Sequence, residues 1–301
     1  MHTQIASLLQ RRARANAFAA RELVVELANW LQGQPWWRRY EGRDHVLVLG
    51  KISWDFRRFQ DGDHWGSRLL HLPEMQLFTK LLIERHPWDV NEIGVSHPTF
   101  FHPISDKDIW RWQWQINTAQ RPHLMSFAGG PRLNSEESIR SILIDQCLSR
   151  PESCEYFNCN PSVCETSESA VKLFMKSEFF LQPLGDSPTR RSFFDSLIAG
   201  CIPVLFNPFT AYYQYPWHLP ANESSYSFYI PEETVKEKKI NVIEVLQKIP
   251  NEQRKEVRKT IIQEIMPRVV YGDPDSRFDE FQDAFMISLD NIFWRTEKAS
   301  I

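Results

Sequence analysis

The sequence predicts an α/β protein built on a doubly wound parallel sheet. Three observations carry this. Residues 178–206, EFFLQPLGDSPTRRSFFDSLIAGCIPVLF, read as strand, polar turn, helix, strand. Such a βαβ unit implies parallel strands joined by a right-handed crossover. Strand-like and helix-like segments alternate along most of the remaining chain, as expected when helices cover a sheet. The length of 301 residues, 42% of them hydrophobic, suits one large domain or two smaller ones.

The elements follow in order. Residues 17–31 form an amphipathic helix with Leu23, Leu27, Trp30 and Leu31 on one face. Residues 45–50 (HVLVLG) are a strand, and 53–59 (SWDFRRF) follow a polar turn. Residues 77–84 and 92–95 are further strands, separated by the turn at His86-Pro87. Residues 96–103 (SHPTFFHP) are extended, with two prolines and two histidines. A first domain is expected to end near Thr118, giving a division into 1–118 and 119–301. The second half opens with a strand at 122–128 and a tight turn, Gly129-Gly130-Pro131-Arg132. Ser135-Glu136-Glu137-Ser138 has the form of a helix start. Ile139, Ile142, Leu143 and Cys147 then mark an apolar helix face. A cysteine-rich irregular loop, a helix at 169–176 and a strand at 178–182 follow. Residues 189–199 form the helix of the βαβ unit, with Phe193, Phe194, Leu197 and Ile198 at helical spacing. Gly200 stops it, and 202–206 is a buried strand. An aromatic loop (209–220), a strand (225–230) and closing helices at 235–247, 251–266 and 278–293 complete the chain.

With a net charge of −3, bulk electrostatics points to no nucleic-acid partner. Aromatic residues are abundant, with 11 Trp and 20 Phe. Most belong in the core, but Trp110-Arg111-Trp112-Gln113-Trp114 also has the chemistry to stack on the apolar faces of sugar rings. Cys147, Cys154, Cys159 and Cys164 cluster in one short segment without a C-x-x-C pair, which favours disulfides over zinc and hence an oxidising compartment. Cys201, beside a buried strand, reads as a buried thiol. Asn222-Glu223-Ser224 is a glycosylation sequon. The sequence has no segment of signal-peptide or transmembrane type. An oxidising compartment and no entry signal are reconciled if the chain is a fragment of a longer protein.

The chemistry is expected at the turn of the βαβ unit. Asp186 or Ser187 can cap the helix, with Pro188 at its first position. Free N–H groups at a helix start attract anions. Arg190 and Arg191 stand there against the helix dipole, which favours acids at that end. A bound diphosphate would compensate them; carboxylate partners on the surface are the alternative.

The run Gly185-Asp186-Ser187-Pro188-Thr189-Arg190-Arg191-Ser192, with Phe194-Asp195-Ser196 and Ala199-Gly200-Cys201-Ile202-Pro203-Val204, resembles the plant exostosin-family glycosyltransferases of the xyloglucan galactosyltransferase type. Ser53-Trp54-Asp55-Phe56-Arg57-Arg58, Ser126–Arg132, Gln214-Tyr215 and Trp217-His218-Leu219-Pro220 match in the same order. The resemblance implies a GT-B architecture: two Rossmann-like domains, the N-terminal one incomplete within 1–118 and the nucleotide-sugar domain within 119–301. It implies inverting transfer of a sugar, galactose first, from a UDP-sugar to a cell-wall polysaccharide such as xyloglucan, with no metal or other cofactor. UDP-galacturonate or UDP-arabinose is the alternative donor, and a non-catalytic partner in a Golgi complex the alternative role. The implied setting is the lumenal face of the Golgi membrane, reached through an anchor outside this sequence. A chain without the opening strands of its first domain is expected to be poorly active or unstable alone.

Roles carry over residue by residue. Arg190, Arg191, Ser187 and Thr189 would hold the diphosphate, with Arg132 as a second contact. Asp195, one turn after Arg191, matches the acid that binds ribose hydroxyls; its other reading is a solvated helix carboxylate. Asp55 and His102 are the candidates for the base that deprotonates the acceptor hydroxyl. His97 and His218 stand behind them, since histidines in aromatic, Pro-rich loops serve more often as structure.

Overall fold

The computed structural model describes residues 17–58, 66–131, 138–158, 167–237 and 239–299. The chain divides into two compact units, one of Met1–Val95 with Ser288–Ile301, the other of Ser96–Ile287. The division falls at Val95/Ser96, not at 118/119 as the sequence suggested. The reason is helix α3 (Asp106–Thr118), whose Ile109 and Ile116 are buried in the core of the second unit.

In the first unit, helices α1 (Ala17–Gln32) and α2 (Trp37–Tyr40) precede β1 (Val46–Val48), β2 (Thr79–Leu82) and β3 (Glu92–Gly94). The three strands form a parallel sheet in the order β1-β2-β3. Val24 and Ala28 of α1 pack with Leu69, Met75 and Phe78. Leu27 and Leu31 join that face, but Trp30 is half exposed, so the apolar stripe is rotated from the one expected. Lys80 in β2 is fully buried, and its ammonium pairs with Asp89 at 3.2 Å. Arg57 bonds Asp89 at 2.8 Å and also Glu92 and Ser53. This network ties the segment after β1 to β3.

The second unit opens with α3, started by a capping box between Ser105 and Asp108. The Ser-x-x-Asp pattern that builds this cap is present in the sequence. Then come β4 (His123–Ala128), α4 (Ile139–Ser149), β5 (Cys154–Phe157), α5 (Ser167–Met175), β6 (Ser177–Gln182), α6 (Arg191–Ile198), β7 (Ile202–Leu205) and β8 (Phe228–Tyr229). All five strands are parallel, in the order β5-β4-β6-β7-β8. Helices α7 (Glu232–Lys236), α8 (Val242–Gln247), α9 (Asn251–Thr260), a π-helical turn (Ile261–Ile265) and α10 (Met266–Val269) follow; α11 (Ala284–Ala299) begins in this unit and runs mostly within the residues of the first. The βαβ reading of 178–206 holds in full: β6 and β7 pair in parallel around α6, and Gly200 ends the helix at φ +64. Every residue of β7 is buried, as a central strand between two neighbours requires.

Two expectations are corrected. The cysteine segment is not irregular throughout, because Cys154–Phe157 pairs with β4 as a sheet edge. Cys147 and Cys154 form a disulfide with Cα atoms 5.0 Å apart, joining the end of α4 to the start of β5; Cys159 and Cys164 lie outside the described residues. Cys201 is a free, buried thiol, as expected. The helix expected at 235–247 is two short ones, because Lys239 adopts φ +50 and Asn241 caps a new start.

Arg121 locks the amino-terminal edge of the five-stranded sheet. Its guanidinium donates to four backbone carbonyls: Ile116 (3.1 Å), Phe174 (3.0 Å), Ser177 (2.9 Å) and Ala199 (2.8 Å). These close α3, close α5, open β6 and follow α6. Burial pushes the guanidinium down to about 10. Beside it, Arg258 donates to Gly200 and pairs with Glu178.

Candidate functional site

The strand order places β4 and β6 side by side, with the chain leaving β4 toward β5 on one side and β6 toward β7 on the other. This is a topological switch point, where open parallel sheets leave a crevice at the carboxyl ends of the strands. Two loops emerge there. One begins with Gly129-Gly130 after β4, the other is 183–190 after β6. Both were singled out from the sequence, and the topology brings their roots to adjacent strands.

Each loop carries a glycine covered by an arginine. A Cβ on residue 185 would collide with the Arg190 guanidinium, which lies directly over Gly185. A Cβ on residue 129 would stand 2.8 Å from Nη2 of Arg140. Arg140, the second residue of α4, was not anticipated. The signal was available, since it is a basic residue in a first helical turn, as Arg191 is. The Gly129 backbone is fixed by its N–H donating to Phe157 and its carbonyl accepting from the Tyr156 hydroxyl, both at 3.0 Å. Burial raises the Tyr156 phenol, with the Arg140 charge opposing. Arg132 lies outside the described residues.

The helix α6 starts two residues later than expected. Arg190 is its N-cap, extended at φ −149, with no side-chain cap; neither Asp186 nor Ser187 caps it. Thr189 is buried at 5% exposure and Arg190 is extended, so the helical backbone cannot begin before Arg191. Ser187 Oγ donates to the Thr189 carbonyl at 3.5 Å. Gln182, also missed from the sequence, ends β6 and donates from its amide to Ser192 Oγ at 3.1 Å, clamping strand end to helix start. The first N–H groups of α6 thus face the loop without a side-chain cap, an arrangement suited to an anion.

Asp195 is not a solvated carboxylate. Its side chain is 2% exposed, and Oδ2 accepts from Arg191 Nε at 3.3 Å, while half of the Arg191 side chain faces solvent. Oδ1 is buried with no hydrogen-bond partner. Burial pushes this carboxyl up to about 6, partly offset by Arg191. A carboxylate raised from its ordinary value binds its proton more tightly when folded. Its contribution to stability is therefore full below about pH 4 and lost as pH rises through 6, a swing of about 3 kcal/mol. Asp195→Asn is expected to raise stability at pH 7.5 relative to wild type by up to that amount. Thermal melts of both proteins between pH 4 and 8 check this; parallel profiles would show that Asp195 has an ordinary affinity for its proton.

The base candidates stand as follows. Asp55 lies in a 3-10 turn (Ser53–Phe56) beyond the carboxyl end of β1, half-buried. Burial raises its carboxyl, against the charges of Lys51 and Arg58. His102 is exposed, and Nδ1 lies 2.9 Å from the Tyr271 carbonyl. That contact holds the proton on Nδ1 and leaves Nε2 as an acceptor. His97 stacks on Phe194 of α6 at 5.4 Å. His218 is structural: fully buried, Nδ1 on the Arg268 carbonyl at 3.1 Å, and pushed down to about 4 by burial. Among the described residues, no group of three or more His, Cys, Asp or Glu converges as a metal site.

Known proteins share this arrangement of sequence. Residues 3–249 match the Exostosin GT47 domain. The chain is 53% identical over 276 residues to the xyloglucan-specific galacturonosyltransferase 1 of Arabidopsis thaliana, covering 92% of this chain and 41% of that protein. It is 51% identical over 279 residues to the probable xyloglucan galactosyltransferase GT20 of the same plant (93% and 49%). Against the xyloglucan galactosyltransferase MUR3 it is 42% identical over 273 residues (89% and 44%). The chain spans about half the length of these relatives, 41% to 49%. A domain match over most of the sequence means that this chain belongs to the exostosin GT47 family of glycosyltransferases.

Proposed function

We propose that the chain carries the UDP-sugar site and part of the acceptor side of an inverting GT-B glycosyltransferase acting on xyloglucan. The observation that supports this most is the pair of arginines, Arg140 and Arg190, laid over bare glycines at the carboxyl ends of β4 and β6. Arg190 and the uncapped start of α6 take the diphosphate, with Ser187 and Thr189 shaping the loop and Arg132 adding charge from its own. As the glycosidic bond to UDP breaks, negative charge grows on the diphosphate, and fixed cations and N–H dipoles stabilise it without reorganising. Arg191 then has two anions to choose from. Moving toward the phosphate releases Asp195, whose unpartnered Oδ1 accepts a ribose hydroxyl. On the acceptor side Asp55, with its raised carboxyl, takes the proton from the attacking hydroxyl. His102 is the second base candidate.

Galactose is the first donor sugar. Galacturonate is a specific second reading, because a relative at 53% identity is named for it. The Golgi lumen is the proposed setting, in line with the Cys147–Cys154 disulfide and the exposed sequon at Asn222. No helix among the described residues is long and apolar enough to cross a membrane.

The test is incubation of the chain with xyloglucan and either UDP-galactose or UDP-galacturonate, followed by sugar analysis of the product. Transfer of either sugar supports the activity and fixes the donor. Calorimetry that detects no UDP binding by a folded chain would overturn the donor-site reading. Asp55→Asn is expected to cut kcat by about 10²–10⁴ with UDP affinity unchanged. If His102→Ala has that effect and Asp55→Asn does not, the base is His102.

A further inference from the structure

The second unit carries an open groove of about 650 Å³, lined by Leu219, Pro220, Gln263, Glu264, Arg268 and Phe281 and by no residue of the loops that follow β4 and β6. The π-helical turn and α10 form one wall. Their apolar residues, Ile261, Ile262, Ile265 and Met266, are buried, whereas Gln263, Glu264 and Arg268 are exposed. The turn widens where Pro267 follows, since proline has no N–H to continue an α-helix.

Helix α3 borders this groove. Gln113 donates to the Ile262 carbonyl at 2.9 Å, and Trp110 meets Phe281 edge-on at 6.2 Å. Trp110, Gln113 and Trp114 share one helical face. Trp110 is 46% exposed and Trp114 69%. Trp112, between them, faces inward, stacking on Phe101 at 4.8 Å and donating to the Ile198 carbonyl at 2.7 Å. The aromatic cluster of the sequence therefore splits into one core residue and two outward rings.

We infer that Trp110, Trp114 and the adjoining groove form a second carbohydrate-binding surface, which holds a neutral polysaccharide chain apart from the donor site. Two tryptophans one turn apart on a helix are about 6 Å apart along its axis, close to the length of one pyranose. Indole faces cover the C–H faces of successive sugars. Phe281 extends the aromatic surface into the groove, and the amide, carboxylate and guanidinium groups of Gln263, Glu264 and Arg268 offer hydroxyls both donors and acceptors. Both charge signs line the groove, so it selects for a polyhydroxyl ligand over an ionic one. This inference rests on the xyloglucan reading only for the choice of polymer.

The experiment is affinity electrophoresis of the full chain in gels containing soluble xyloglucan, with Trp110→Ala/Trp114→Ala and the single Trp114→Phe variant alongside. The double variant is expected to lose about tenfold in polymer affinity. Trp114→Phe should retain most of it, and UDP affinity should stay the same throughout. Equal retardation of wild type and double variant, or no retardation of a wild type that binds UDP, overturns the inference. So does a shift from dimer to monomer on sedimentation without loss of polymer binding, which would make the face a self-association surface. A chain that binds polymer through these tryptophans but not UDP supports the inference while the donor-site reading fails.

Discussion

Arg190→Ala is expected to lower kcat/KM for the UDP-sugar by about 10²–10³-fold while leaving the fold intact. The guanidinium lies over Gly185, and Arg190 is only half-buried and belongs to no hydrophobic core cluster. Gly185→Ala provides an independent route to the same defect. The new methyl would occupy the place of the Arg190 guanidinium and displace it, although the residue keeps its charge. Gly185 does not have a positive φ, so backbone strain is not the cause. Both variants should therefore melt near wild type and bind UDP weakly. Calorimetry with UDP, paired with thermal melts, makes the check. Wild-type UDP affinity in Gly185→Ala would show that Arg190 does not work from its position over residue 185. Arg140→Ala is the matching change at Gly129 and should weaken UDP binding in the same direction.

Arg121→Ala should be the most destabilising single change in the second unit. It removes one cation and leaves four carbonyls without a donor, three of which cap helices or join them to strands. Each buried carbonyl stripped of its partner costs about 1–3 kcal/mol, with partial relief from entering water. A net loss of about 4 kcal/mol is expected, a large share of the 5–15 kcal/mol that folded domains possess. Arg121→Lys should recover only part of it, because an ammonium is a point charge and cannot fork toward four acceptors. Urea unfolding of the three proteins measures this. A shift below about 1 kcal/mol for the alanine variant would mean that water replaces the guanidinium at little cost.

How far the fold could be read in advance varied with the kind of signal. The βαβ unit was legible because three signals agree there: an apolar run, a Gly/Pro/Asp turn and a 3.6-residue repeat closed by glycine. Residues 154–157 were not legible as a strand. β5 is an edge strand of four residues, with three only half-buried, so its apolar pattern is weak and the surrounding cysteines and prolines dominate. The start of α6 differs from the local capping pattern because the backbone stays extended through Arg190, with Thr189 buried before it. At the site, residue types were readable and relations were not. Arg190, Arg191 and the two glycine loops could be named. That Arg140 covers Gly129 depends on a parallel crossover that no local pattern encodes. For Asp195 the sequence offers a ribose-binding acid or a solvated helix carboxylate, and the structure removes the second reading, since the side chain is buried with an unpartnered oxygen.

Arg121 and the glycine-backed loops occupy opposite edges of the same sheet, and this bears on how such a protein can change over generations. If the 183–190 loop holds the donor as proposed, substitutions in it alter ligand contacts and leave the Arg121 joints untouched. Substitutions around Arg121 change no ligand contact yet weaken four joints at once. On that proposal, donor preference is free to drift on a scaffold whose folding is secured elsewhere. A library randomised at the carboxyl-terminal loops should yield mostly folded members with varied sugar-nucleotide tastes, whereas one randomised around Arg121 should yield mostly insoluble ones.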